Sequence, residues 1–284
     1  MILALFLVQA VSGDAEIRGK AGASEIVIRT TNRLAGAIDS LTWNGREFID
    51  SFDHGRQLQS ASNLDLGLPI TDETFNPTEA GSRSDGAGPA STSRLLSLKA
   101  EGNRLETKSL MAFWLKPGEK SGEHLAKNTT TLSAHGLSKS VTIGLPDLSH
   151  VIDYRVTFHV PEGERHTRAT FEALTGYMPP AFSRFLVYDP GTKATRPLSD
   201  GPGEQPLPII FSTPDGGHAM GAWSPETKPS YGRWNFRDHL VVKWNVVFRE
   251  RKDEGLAAGD RSYRVYVAVG TLDDVVRSLQ VLIK

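Results

Sequence analysis

Apolar residues recur along most of this chain at every second position, the spacing of a strand with one buried face. The segment SEIVIRT at Ser24–Thr30 shows it in short form, with Ile26 and Ile28 on one side. Residues 37–43 and 46–49 flank Asn44-Gly45, a pair that favours the two-residue turn of a β-hairpin. Further runs rich in Val, Ile, Thr, Tyr, Phe and Trp fall at 95–99, 105–115, 140–143, 151–160, 167–174 and 182–188. Others fall at 207–211, 219–223, 240–248 and 263–269. Turn residues such as Pro117-Gly118, Asp215-Gly216-Gly217 and Asp253-Glu254-Gly255 separate them. More than a dozen short strands predict an all-β fold, a large antiparallel β-sandwich. One helix is predicted. Thr271 caps it with Asp274 three residues on, and Leu272, Val275, Val276, Leu279 and Leu282 follow helical spacing. Two stretches, 59–93 and 116–138, lack strand periodicity and read as long polar loops, which in compact domains are often functional.

Composition narrows the function classes. The 284 residues carry 32 Lys and Arg against 33 Asp and Glu, so the basic excess of a nucleic-acid binder is missing. No cysteine is present, which excludes disulfides, thiolate zinc sites, iron–sulfur clusters and cysteine nucleophiles. Residues 1–11 are apolar apart from Gln9, and Ala10-Val11-Ser12 resembles a small-x-small cleavage site. The expectation is a secretory signal over 1–13, with one β-sandwich domain over 14–284 and a secreted or periplasmic location. The apolar start is too short to span a bilayer. The eight histidines are scattered and show no zinc motif, so no metal and no cofactor are expected. Nucleophile-elbow, P-loop and dinucleotide fingerprints are absent too.

Four constellations could carry chemistry. In Asp53-His54-Gly55-Arg56-Gln57-Leu58-Gln59 an extended backbone would set His54 and Arg56 on one face. A forked donor beside a group that moves protons near neutral pH suits an anionic or polyhydroxyl ligand. Gln57, a candidate ligand contact, lies on the opposite face of that run, and the loop with Asn76-Pro77 offers Glu79 as an acid or base and Asn76 as a hydroxyl partner. Glu204 lies in a turn with Gln205. His218 precedes the aromatic segment Tyr231-Gly232-Arg233-Trp234, and Tyr177 stands in a Gly-Tyr-Met-Pro-Pro loop. Tyr231, Trp234 and Tyr177 read as platforms for sugar rings. The catalytic candidates are thus His54, Arg56, Glu79, Glu204 and His218; His54 and Arg56 are expected to face a shared groove, with the loop around Asn76 and Glu79 as one wall.

The segment Gly36-Ala37-Ile38-Asp39-Ser40-Leu41-Thr42-Trp43-Asn44-Gly45-Arg46-Glu47-Phe48 resembles the opening hairpin of aldose 1-epimerases and related galactose-mutarotase-like sandwiches. The resemblance covers residues 36–59. It implies a supersandwich fold and a carbohydrate ligand, and Gly55-Arg56 resembles the step whose Arg lines the sugar site. The midchain Asn-His motif of the epimerases has no counterpart here. Hydrolysis, elimination, epimerisation and binding alone therefore stay open, with a secreted carbohydrate-active enzyme ahead of a non-catalytic sugar-binding or cell-envelope module.

Overall fold

The computed structural model describes residues 11–67 and 69–284. The cleavage site and most of the expected signal at 1–13 lie outside or at the edge of that range. The chain is docked from Gly13 on: its amide donates to Asn32 Oδ1 at 2.6 Å and its carbonyl accepts from Thr30 Oγ1 at 2.7 Å.

The strands run in chain order as β1 (Ala15–Ala21), β2 (Ser24–Thr30), β3 (Ile38–Trp43), β4 (Arg46–Glu47), β5 (Leu58–Leu64), β6 (Pro77–Thr78) and β7 (Arg94–Glu101). Then come β8 (Arg104–Phe113), β9 (Lys120–Ser121), β10 (His124–Leu125), β11 (Leu132–Leu145), β12 (Leu148–Val160), β13 (Arg168–Met178) and β14 (Arg184–Asp189). The last are β15 (Ala194–Pro197), β16 (Gly203–Gln205), β17 (Ile209–Ser212), β18 (Ala219–Trp223), β19 (Ser230–Phe236), β20 (Val241–Arg251) and β21 (Gly259–Gly270), followed by helix α1 (Leu272–Leu282).

Pairing is antiparallel throughout; β9 and β10 form a separate two-stranded ribbon, and the other strands build the two layers of the sandwich. One runs β1-β2-β3-β5-β13-β20-β19-β16 and the other β7-β8-β11-β12-β21-β18-β17-β14-β15. Short β6 joins them at one edge, pairing β5 through Ala61 and β8 through Phe113 and Ala112. The fold is an all-β sandwich with one C-terminal helix, as the alternating pattern predicts. Between the sheets lies one core that includes Ile28, Leu41, Phe113, Val141, Phe158, Phe171, Trp244, Phe248 and Val267. Alternation in β11 is strict: Leu137, Val141 and Ile143 are buried, while Ser138, Ser140 and Thr142 are half open.

The hairpin turn forms as expected, with Asn44 and Gly45 both at positive φ, 49° and 71°. Helix α1 also forms as expected. Thr271 Oγ1 accepts from Asp274 N at 3.2 Å, and Asp274 Oδ2 accepts from Thr271 N at 3.1 Å. Val275 and Leu279 pack it on Val151, Ile210 and Ala268 of the second sheet. The two predicted loops are partly strand. β5 occupies the start of the first and the opening of β11 the end of the second. Their inward positions hold Ser60, Ser62, Ser133 and His135, so small polar groups sit where the pattern would have carried apolar ones. β1 reads plainly in hindsight, with Ile17, Gly19 and Ala21 alternating with Glu16, Arg18 and Lys20.

Candidate functional site

The outer face of the first sheet carries a cluster that alternation along β13, β19 and β20 places there. Register sets Tyr177 beside Lys243 and Lys243 beside Trp234, one row across three strands. The Lys243 ammonium lies 5.3 Å from the Tyr177 ring centroid and 4.9 Å from that of Trp234, within cation–π range. In the next row, Gly232 stands opposite Asn245. A Cβ on Gly232 would fall 2.4 Å from both the Trp234 ring and Asn245 Oδ1, so only glycine leaves room for the indole there. One row further, Glu172 stands opposite Val247, and Val247 opposite Ser230. Glu172 Oε2 is 3.4 Å from Lys243 Nζ.

This pair is set deep among protein atoms, yet 28% of the Glu172 side chain and 14% of Lys243 stay open. Both side chains therefore keep some access to solvent on this outer face. Burial pushes the Glu172 carboxyl up, but the Lys243 charge and the Thr175 hydroxyl outweigh it and leave the pKa below the ordinary glutamate value. Burial lowers Lys243, and the Glu172 charge more than reverses this, so the ammonium is held charged. Tyr177 is raised, chiefly by burial, and keeps its proton.

The expected site residues divide between this outer face and the interior. Trp234 and Tyr177 are on it. Glu204 of β16 is at its side, where Oε1 accepts from Arg249 at 2.7 Å and Oε2 from Ser230 Oγ at 2.9 Å. Burial raises Glu204, while the Arg249 and Ser230 hydrogen bonds hold it below the ordinary value. Arg56 lies at the Tyr177 end, since the 50–57 loop bonds that strand through Asp50 N to Tyr177 O at 2.9 Å. Its guanidinium is 3.3 Å from Asp53 and 3.8 Å from Asp50, and covers the exposed Phe52 ring at 5.3 Å.

The other candidates are held elsewhere. Residues 53–56 are a turn rather than a strand, because Asp53 Oδ1 accepts from Gly55 N and Asp53 O from Arg56 N. His54 is therefore not on a shared face with Arg56. It is buried, with Nδ1 2.7 Å from Gly86 O and Nε2 2.9 Å from Arg33 O, so carbonyls engage both nitrogens. Gln57 is buried and donates to Ser51 Oγ at 3.2 Å. Asn76 donates to Ser62 O at 2.5 Å. Glu79 is sealed between the sheets, with Lys139 Nζ 2.5 Å from Oε1 and the Ser60 amide donating to Oε2 at 3.1 Å. Tyr231 faces the core, and its hydroxyl accepts from Ser224 N at 3.0 Å. His218 packs edge-on to Trp43, with ring centroids 5.7 Å apart.

Sequence reasoning missed Glu172, Lys243 and Asn245. Each lies at an outward position of a strand, Lys243 and Asn245 among valines and Glu172 between Phe171 and Ala173, and the Tyr177-to-Trp234 row was legible only once β13 and β19 were both known to pair with β20.

A second cluster could hold a metal. His135 Nε2 and His166 Nε2 lie 2.8 and 2.7 Å from Glu164 Oε2. The groups sit on β11 and on the loop between β12 and β13, beside Phe75 and Phe113. The outer face of the second sheet holds a depression of about 350 Å³ lined by Lys99, Lys108, Ser138, Ser140, Arg155 and Thr157, without an aromatic ring. No helix among the described residues is long and apolar enough to cross a membrane.

No protein family and no curated protein matches the sequence. Solved structures do match in shape. The Slr1438 protein of Synechocystis sp. PCC 6803 aligns over 95% of this chain and 100% of its own, at 12% identity and a TM-score of 0.50. An alpha-mannosidase from Enterococcus faecalis V583 aligns over 97% of this chain at 12% identity and a TM-score of 0.52. The GH36 alpha-galactosidase AgaB of Geobacillus stearothermophilus aligns over 92% at 10% identity and a TM-score of 0.50. The chain spans 32% of that mannosidase and 40% of that galactosidase. At such identities the likeness is one of fold: the chain shares its sandwich with domains of these proteins.

Proposed function

We propose that the protein is a carbohydrate-active enzyme whose poly- or oligosaccharide substrate lies over Trp234, Tyr177, Lys243 and Glu172. The observation that carries this is the row Tyr177–Lys243–Trp234 beside an open carboxylate. Flat rings that offer an apolar face suit sugar rings, and charged groups between them suit hydroxyls or a uronate carboxylate. Sandwich neighbours named for action on galactosides and mannosides support the substrate class.

The grouping of an ionised carboxylate, a cation and a protonated tyrosine is compatible with proton abstraction. A glycosidase pairs one ionised carboxylate with an acid whose pKa is raised. Here both Glu172 and Glu204 are held below the ordinary value. An ionised Glu172 fits a base that removes the proton beside a uronate carboxylate, Lys243 or Arg56 fits that carboxylate's counter-charge, and protonated Tyr177 fits the donor to the departing oxygen. The apolar run before Ser12 supports export, which would put the enzyme where such polymers occur.

The test is incubation with a panel of neutral and acidic polysaccharides, reading reducing ends and ultraviolet absorbance together. Expected is an absorbance rise with an acidic polymer, lost in Glu172→Gln. Reducing ends without absorbance would replace elimination by hydrolysis. Binding without product, weakened in Trp234→Ala, would leave a recognition module.

A further inference from the structure

Glu164 Oε2 receives two imidazole nitrogens at hydrogen-bond distance, in a pocket where both rings are buried and the carboxylate is partly open. Three donor atoms converge within 4.8 Å of one another. Two neutral imidazoles and one carboxylate are the donor set of a divalent zinc-type site that keeps one coordination position free.

We propose that His135 Nε2, His166 Nε2 and Glu164 bind one divalent transition-metal ion, zinc by preference. Asp65 is the positioning residue. Its Oδ1 lies 3.7 Å from His166 Nδ1, and it is itself fixed by Thr167 N at 3.0 Å. A carboxylate behind a metal-bound imidazole is a common second layer of such sites.

Without metal, Leu66 N donates to His166 Nδ1 at 3.2 Å, so the His166 proton is on Nε2 and points at Glu164. Metal binding through Nε2 requires that proton to leave Nε2 and Nδ1 to carry one. Nδ1 then changes from acceptor to donor and turns from the Leu66 amide to Asp65. The ligand atoms must also spread. Donors about 2.0–2.1 Å from a tetrahedral ion stand roughly 3.3 Å apart, about half an ångström wider than the hydrogen-bonded spacing. Glu164 is the member with room to move, because its side chain alone of the three is partly open to solvent. The site is separate from the proposed sugar-binding face, on the other sheet's β11 and a loop, and its occupancy does not depend on the proposed reaction.

The experiment titrates the whole purified protein, after chelator treatment and dialysis, with Co²⁺ and Zn²⁺. Visible d–d absorption reports the coordination of cobalt, and competition with a chromophoric chelator gives the zinc affinity. Expected is one equivalent, with the intense bands of a four-coordinate site. Glu164→Gln, which keeps an acceptor for both imidazoles and hence the fold, should weaken zinc at least about tenfold. Asp65→Asn should weaken it ~10–100-fold without changing the stoichiometry. His166→Ala should abolish the cobalt bands where circular dichroism shows it folded. If it does not fold, Glu164→Gln decides. No binding at micromolar zinc overturns the proposal, as does binding that Glu164→Gln and Asp65→Asn leave unchanged.

Discussion

The molecule contains two glutamate–lysine pairs that share chemistry and differ in everything else. Glu79 and Lys139 lie between the sheets with no exposed side-chain surface on either partner. Their remaining valences are closed by Ser60 N and Gly36 O, and Ser60 Oγ in turn meets Tyr154 OH at 2.9 Å. Burial and the Glu79 charge push the Tyr154 hydroxyl well up, so it stays protonated in this network. Glu172 and Lys243 stand instead on an outer face, open to solvent and framed by aromatic rings. A sealed pair fixes how β6 and β11 meet and has no route to a substrate. An open pair has one. Which side of a strand a carboxylate occupies thus separates architecture from chemistry.

The largest effect should come from breaking the sealed pair. Lys139→Met leaves a carboxylate with no counter-charge in a dry interior, a change that typically costs about 3–5 kcal/mol. Urea unfolding should show that loss, and Glu79→Gln combined with Lys139→Met should recover much of it. A single-variant loss below about 1 kcal/mol would mean the interior tolerates the charge and the contrast is false.

The open pair should behave in the opposite way. Glu172→Gln should cost less stability than breaking the sealed pair, since solvent reaches part of both side chains. On the proposed reading it should cut turnover by ~10²–10⁴, the usual cost of losing a general base. Unchanged turnover, with a substrate identified, would remove Glu172 from the reaction.

These pairs also show what the sequence disclosed. The fold was legible because alternation, the Asn44-Gly45 turn and the Thr271 cap are local signals that no tertiary contact contradicts. Glu79 drew attention through its polar loop, and that same polarity was the mark of a buried network. Glu172 escaped notice because one charged residue between Phe171 and Ala173 looks like ordinary outward alternation in a strand. Its partner is 71 positions later in sequence, at 243, and only the β13–β20 register joins them. His54 misled for a related reason. The Asp53 turn redirects the backbone inward, which residue types at i and i+2 do not announce.

A smaller effect is expected at the platform. Trp234→Ala should weaken oligosaccharide binding about tenfold, the loss of roughly 60 Å² of apolar contact at ~25 cal/mol per Å². Calorimetric titration would measure it. Trp244, buried in the core, provides the contrast. Its truncation should cost ~3–5 kcal/mol of stability instead.

The smallest effect is the most diagnostic, because it tests the coupling inside the open pair. Glu172 is lowered from 4.5 although burial alone would raise it, and the Lys243 charge is the main opposing influence. As a base it stays ionised at every pH above its ordinary value, so the acid limb of the kcat/KM profile should lie below 4.5. Lys243→Met keeps the burial and removes the charge that opposes it, so the limb should move upward. Stability follows with a definite sign. A carboxyl whose folded value is depressed contributes stability that is complete above its unfolded value and is lost as pH falls through the folded one. The wild-type protein should therefore lose its advantage over Lys243→Met as pH drops below about 4.5, and the two should converge in acid. A limb that stays in place in Lys243→Met, measured with the same substrate over the same range, would show that the proton taken in catalysis does not pass through Glu172.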